Sequence, residues 1–228
     1  LFQKRAAFSM EEICREIYRE NRERIRIKKE SVAVKNLVKI FNATLSLSAK
    51  KGFQAMSLRD LCKESGLSMG ALYAYFTEKD MLLDIILLQG RRIIKKILEE
   101  ALASERGPWG KLSTALRTHI FLSEVLQEWF FFSFMEAKNL SREKQKAAIA
   151  SELYTEKIFI DVLEEGNASG EFAAMNVVLS ASVIKAMLQD WYLKRWKYRK
   201  RGVSVEEYAN FVIDIIGTIV LVNKTEKK

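Results

Sequence analysis

The sequence predicts an all-α protein, and three observations carry that reading. Leu, Ala, Glu, Lys, Arg and Ile dominate the 228 residues, all of them good or tolerable helix formers. Only one proline, Pro108, and ten glycines interrupt the chain. Apolar residues recur at i, i+3, i+4 and i+7 along most of it. With 49% hydrophobic residues the chain has enough apolar surface to bury a core.

Charge and cysteine usage narrow the class. The net charge of +9 invites a polyanionic partner, and its distribution is uneven: residues 1–100 carry 20 Lys+Arg against 13 Asp+Glu, whereas residues 101–228 carry 18 against 16. Cys14 and Cys62 match no metal or redox spacing and suit reduced cytoplasmic thiols. The start, Leu1-Phe2-Gln3-Lys4-Arg5, lacks Met and reads as a trimmed chain, and it turns charged by Glu11, unlike a secretory leader. The most apolar stretch, Phe211 to Val222, is interrupted by Asp214 and falls short of the roughly 20 residues a bilayer needs. The expectation is a cytoplasmic protein without a membrane span.

Residues 10 to 30 read as a charged helix, with Glu11 and Arg15, and Glu20 and Arg24, at the favourable i,i+4 spacing. Its thin stripe of Ile13, Ile17 and Ile25 leaves two readings open, an extension docked on the body or on a polyanion, and a solvated, partly frayed helix. From Val34 the pattern sharpens through Leu37, Val38, Phe41 and Leu45, and Gly52 follows Lys50-Lys51 as a stop. Ser57 is placed to cap a short helix, Leu58 to Glu64, and Gly66 supplies the positive φ that a tight helix-helix turn requires. Ser68 caps the next helix, whose inward face is Leu72 with Tyr75 or Phe76.

Helix, three-residue turn, helix is the geometry in which a second helix stands proud of the body and enters a major groove about 12 Å wide. Met69, Gly70, Ala71 and Ala74 are small enough on the exposed side to let backbone approach base edges, while Tyr73, Tyr75 and Lys79 offer donors to phosphate. An ordinary helical hairpin, its tyrosines packed at a domain seam, fits the same spacing.

The segment Gly66-Leu67-Ser68-Met69-Gly70-Ala71-Leu72-Tyr73-Ala74-Tyr75-Phe76-Thr77-Glu78-Lys79-Asp80-Met81-Leu82, preceded by Ser57-Leu58-Arg59-Asp60-Leu61, resembles the signature of the TetR family of bacterial transcriptional regulators. At motif level the resemblance covers residues 32 to 90. It implies an N-terminal three-helix bundle with a helix-turn-helix, followed by a larger helical ligand-binding and dimerisation domain. The expected division is a charged extension over 1–31, a DNA-binding domain over 32–80 and a ligand and dimer domain over 81–228. Carried over by position, it implies that Tyr73, Tyr75 and Lys79 meet the DNA backbone, with Ser57 and Arg59 adding phosphate contacts, that Met69, Gly70, Ala71 and Ala74 face bases, and that Ser68 belongs to the same DNA-binding set. Cys62 stands where the family often has alanine. The stretch before residue 32 departs from the pattern; as an extra DNA-binding arm it would bring Arg24, Arg26, Lys28 and Lys29 near the duplex.

A long helix is expected from Glu78 to Ser104, with Leu82, Ile85, Ile86, Gln89, Ile93, Ile97 and Leu98 inward and Gly107-Pro108 as its stop. The resemblance makes it the lever between ligand and DNA domains. The run Trp129-Phe130-Phe131-Phe132-Ser133-Phe134-Met135 is too crowded for one helical face, so some rings point into a cavity, a neighbouring helix or a partner. Trp109, His119, Phe121, Trp129, Phe132, Tyr154 and Phe159 are candidates for lining a site for a small hydrophobic effector; by analogy within the family that is a fatty acid or acyl-CoA. His119, the sole histidine, has no partner set for a metal, and no metal or cofactor is expected.

Residues 141 to 165 read as a helix stopped by Gly166-Asn167-Ala168-Ser169-Gly170, and two long helices, 174 to 199 and 204 to 223, close the chain. The last is apolar on two sides: Tyr208, Phe211, Val212, Ile215, Ile216 and Ile219 form one stripe, with Ile213, Gly217 and Leu221 opposite. A monomer's surface helix has no use for two apolar faces, so a homodimer is expected, placing two recognition helices on a pseudo-palindromic operator. The basic run Lys194 to Arg201 complements a helix C-terminus or serves a membrane surface. No phosphate-cradling loop, nucleophile elbow or carboxylate-histidine cluster suggests an enzyme. The reading at this point is a ligand-responsive repressor of double-stranded DNA, with a helical lipid- or acyl-chain-binding module as the alternative.

Overall fold

The computed structural model describes residues 10–140 and 142–222. Among these residues the chain is helical throughout, and its only sheet-like pairing is an isolated antiparallel bridge between Phe172 and Leu221. The all-α expectation holds. The helices are α1 (Met10–Glu20), α2 (Glu30–Lys51), α3 (Leu58–Ser65), α4 (Met69–Leu72), α5 (Lys79–Ala103), α6 (Pro108–Val125), α7 (Gln127–Glu136), α8 (Arg142–Ser169), α9 (Val177–Leu193), α10 (Arg195–Lys200) and α11 (Val205–Val220). No helix among the described residues is long and apolar enough to cross a membrane. The chain divides into two compact units, one running to Ile93 and including Phe132–Asn139, the other comprising Ile94–Phe131 and the residues from Leu140 on.

In the first unit, α2, α3 and α4 form the helical triad and α1 lies against α2. The docked rather than the frayed reading of the extension is the one realised. Ile13, Cys14, Ile17 and Tyr18 are buried, and at about 1.5–3 kcal/mol for each large apolar side chain this outweighs the poor helix propensity of a short charged segment. Burial pushes the Cys14 thiol up to about 12, with Glu11 adding to the shift, so it stays protonated as a packing group. The Glu11–Arg15 pair forms at 2.8 Å. Glu20 does not reach Arg24, because α1 ends at Glu20 and its carboxylate turns to Gln89 and Arg92, the latter at 2.6 Å.

In the second unit, α6, α8, α9 and α11 enclose a core of Leu112, Leu116, Phe159, Leu163, Ile184, Leu188, Trp191, Val212 and Ile216. Trp191, Tyr198 and Tyr208 stack in a triangle with ring centroids 4.7 to 5.0 Å apart, and the Tyr208 hydroxyl donates to the Met187 carbonyl at 2.6 Å. Gly217 of α11 lies so close to Trp109 of α6 that a Cβ there would come within 2.8 Å of the indole.

The expected 10–30 helix ends at Glu20, and other sequence boundaries shift as well. Pro108 does not merely end α5 but occupies the first turn of α6, where its missing N–H costs nothing. Helix α8 continues to Ser169, ending inside the expected Gly166–Gly170 stop, whose positive φ sits at Gly170; at Gly166 the Phe172 ring lies where a Cβ would be. The expected 174–199 helix breaks at Lys194, and Asp190 beside the break binds Lys194, Lys197 and Tyr198.

Candidate nucleic-acid interface

Helix α3 begins with a complete capping box: Ser57 Oγ accepts from the Asp60 amide at 3.1 Å, and Asp60 Oδ2 accepts from the Ser57 amide at 2.8 Å. Lys51, at the end of α2, holds the same carboxylate at 2.6 Å; this bond, with those from Ser57, keeps Asp60 well below the usual carboxylate range. Helix α3 ends at Gly66, in the left-handed region at φ 70°, whose amide returns to the Cys62 carbonyl. After the three-residue turn Gly66-Leu67-Ser68, the Ser68 hydroxyl accepts from the Ala71 amide at 3.2 Å and caps α4. The turn that the glycine and the two serines imply is therefore present, with one first-turn amide of each helix accepted by its capping serine.

On α4, Leu72 is buried and anchors the helix, while Gly70 is exposed with nothing within 4 Å of where a Cβ would stand. Met69, Ala71 and Ala74 are partly exposed, and Met69 Sδ lies 4.0 Å from Cys62 Sγ. Tyr73 is 44% exposed, and Ser57, Arg59 and Ser68 lie on the surface.

Two residues expected on phosphate are turned elsewhere. Tyr75 is 2% exposed, because the chain leaves helical geometry after Leu72 and the turn rotates residue 75 inward beside Phe76. The Lys79 ammonium donates to the carbonyls of Phe53, Gln54 and Met56 at 3.1, 2.9 and 3.1 Å, above the Phe53 ring. All three of its donors are engaged by the loop between α2 and α3, which leaves none for a phosphate.

The candidate effector-site residues do not converge. His119 and Trp129 both meet Phe130 edge-on, at centroid distances of 5.4 and 5.3 Å, and Phe130 in turn meets Tyr192. Phe159 belongs to the central core and Phe121 lies against it, Trp109 covers Gly217, and Tyr154 is bonded to Glu99 beneath Lys95. Phe132 lies in the first unit, edge-on to Phe53 at 5.8 Å. Reading the residues in sequence missed Lys185, which is 6% exposed and bonded to Thr155 at 2.8 Å and Glu152 at 3.2 Å; a lone cation within the apolar 177–193 stretch was the available signal. Burial, with Lys185 nearby, holds the His119 pKa well below its ordinary value.

The expected dimer stripe divides in two. Tyr208, Val212 and Ile216 face the unit's own core, because their i,i+4 row is the one α11 turns inward, and they are withdrawn from the interface. Phe211 and Ile219 are 62% and 61% exposed, with Ile215 between them. The first half of the basic run after α9 is engaged: Lys194 and Lys197 bind Asp190, and Arg195 forms a two-pronged bond to Glu124 at 2.7 and 2.9 Å and lies over Trp191.

A capped helix, a left-handed glycine turn and a second helix presenting small residues are together the device by which helix-turn-helix transcriptional regulators read a groove. Residues 40–86 match the model of "Bacterial regulatory proteins, tetR family", and residues 105–220 match "Tetracyclin repressor-like, C-terminal domain". The chain belongs to the TetR family. It is 21% identical over 173 residues to the HTH-type transcriptional regulator HbdR of Aromatoleum sp. (strain CIB), covering 75% of this chain and 74% of that one. Its fold resembles the ketosteroid transcriptional regulator KstR2 of Mycobacterium tuberculosis, with TM-score 0.73, 20% identity and coverage of 81% and 94%. It also resembles the TetR family transcriptional regulator PfmR of Thermus thermophilus, with TM-score 0.70, 27% identity and coverage of 79% and 97%.

Proposed function

We propose that this protein is a homodimeric repressor that binds a pseudo-palindromic operator through α4 and releases it when a small hydrophobic effector occupies the second unit. The observation that carries the reading is the exposed face of α4, where Gly70 has open space around it between Ser68 and Tyr73. Base contact falls to Met69, Gly70, Ala71 and Ala74, and phosphate contact to Ser57, Arg59, Ser68 and Tyr73. The role is binding rather than catalysis, and it is exercised in the cytoplasm, where a bacterial chromosome is reached.

Support for the dimer comes from the outward row Phe211, Ile215 and Ile219, together with exposed Leu179 and Val183 on α9. A two-fold pair would set its recognition helices about 34–36 Å apart, one turn of duplex. Support for an apolar effector comes from the Phe130 aromatic cluster; an acidic group on it would meet the buried Lys185 by displacing Glu152, which now holds that ammonium. A fatty acid carries such a carboxylate and an acyl-CoA the same apolar chain with its charge on phosphates instead, and one structural neighbour is a Clostridium perfringens putative fatty acid metabolism regulator. For release, the effector must bind the form with low DNA affinity more tightly than the other.

Selection from a random-sequence duplex library tests the reading. The expected winner is an inverted repeat, bound by a species of twice the chain mass and released by long-chain acids or their CoA esters. A protein that enriches no sequence, or that stays monomeric on DNA, refutes it. Phe211→Asp is expected to dissociate the dimer and abolish operator binding.

A further inference from the structure

We propose that residues Arg22 to Lys29 form a second DNA-contacting element, a basic strap that grips the phosphates flanking the bases read by α4. The inference rests on the helix-turn-helix reading and adds to it an element that lies outside the family-matched residues 40–86.

The strap is held at both ends. Asn21 Nδ2 donates to the Ile17 carbonyl and the Asn21 carbonyl accepts from the Arg24 and Ile25 amides, each at 2.9 Å, so the chain leaves α1 in a defined direction. Further on, the Tyr18 hydroxyl donates to the Lys28 carbonyl at 2.8 Å. Between these anchors Ile25 is fully buried, and the Arg26 amide donates to the Ala74 carbonyl at 2.9 Å. Ala74 follows Tyr73 directly at the end of α4. The strap is thus one backbone hydrogen bond from the recognition helix.

Its charges are unspent. Arg22, Arg24, Arg26, Lys28 and Lys29 are all exposed, and within the described residues none forms an ion pair or a side-chain hydrogen bond. The neighbouring Glu30 is taken by Arg15 at 3.6 Å and Arg19 at 3.5 Å, which leaves Glu23 as the strap's own carboxylate. Some cations of the chain do meet carboxylates, as Arg195 meets Glu124 and Lys51 meets Asp60. Five unpaired cations over eight residues repel one another, and a polyanion relieves that repulsion. A helix seated in a groove about 12 Å wide has phosphates along both walls, so an element bonded to that helix's end meets the backbone rather than the bases.

The experiment compares the unaltered protein with the triple variant Arg24→Gln, Arg26→Gln, Lys28→Gln, which spares Ile25, Tyr18 and every backbone bond of the strap. The probe is the duplex that the unaltered protein selects from a random library, titrated between about 50 and 300 mM salt. The expected result is a loss of at least about tenfold in affinity, with a slope of log K against log salt shallower by roughly 0.9 for each phosphate the variant no longer neutralises, up to about five in a dimer. A charge-conserving variant, Arg24→Lys with Arg26→Lys, is expected to keep the slope. An unchanged slope in the triple variant overturns the proposal. So does a slope reduced equally in the lysine variant, which would mark a structural role. Failure of the unaltered protein to select any duplex would sink the regulator reading and the strap with it.

Discussion

The Lys79 ammonium reaches the Gln54 carbonyl at 2.9 Å and closes the loop between α2 and α3 from the first turn of α5. Three carbonyls around one cation make this an internal clamp, and hydrogen bonds to a charged group contribute about 1.5–3 kcal/mol each when deleted singly. Lys79→Met keeps the aliphatic stem and removes the charge. It is expected to lower the stability of the first unit by about 1–3 kcal/mol in a urea titration. A phosphate-binding lysine would instead leave the titration unchanged and flatten only the salt dependence of DNA binding.

Gly70 separates folding from binding. A Cβ there meets no atom of the protein, and alanine is the better helix former by up to about 1 kcal/mol. Gly70→Ala is expected to leave stability equal or slightly raised while weakening operator binding, because the added methyl stands between the backbone and the base edges. Operator affinity at wild-type strength in this variant would remove Gly70 from the interface.

The contact between Gly217 and Trp109 permits a test by double substitution. Gly217→Ala places a methyl within 2.8 Å of the indole and is expected to cost about 1–3 kcal/mol. Trp109→Leu opens the space, so the pair of substitutions should cost less than the sum of the two measured alone. Additive losses would show that the two side chains are energetically independent.

His119 predicts a pH dependence. Its folded pKa lies below the unfolded value near 6.5, because burial and Lys185 disfavour the charged ring. The unfolded chain therefore binds more protons in the window below about 6.5, and stability falls as pH drops through it, by up to about 1.4 kcal/mol per pH unit. Above that window the contribution is constant. His119→Phe is expected to flatten the dependence between pH 6.5 and 5 in urea titrations, about where an ordinary imidazole takes up its proton. A slope identical to that of the unaltered protein would rule the histidine out as its source.

The turn at residues 57 to 72 was legible in the sequence because each feature depends on near neighbours. Ser57 meets Asp60 three residues on, Gly66 supplies a φ that other residues rarely adopt, and Ser68 meets the Ala71 amide. The helical class followed likewise from local preference and period. The engagement of Lys79, the docking of α1 and the choice between the inward and the phosphate-facing place open to Tyr75 were not legible, since each depends on a partner brought up by the fold: the α2–α3 loop, the flank of α2 and the turn after α4.

Helix α11 shows the same division most clearly. Its sequence set Tyr208, Phe211, Val212, Ile215, Ile216 and Ile219 on one broad apolar stripe, with Ile213, Gly217 and Leu221 opposite. Only the tertiary structure decided which part of that stripe goes inside: Tyr208, Val212 and Ile216 are buried together with Ile213 and Gly217, and Phe211, Ile215 and Ile219 are left towards the surface. Periodicity records how often a side chain returns to one side of a helix. Which side is covered depends on where the neighbouring helix lies, and that is set by packing among segments far apart in the chain.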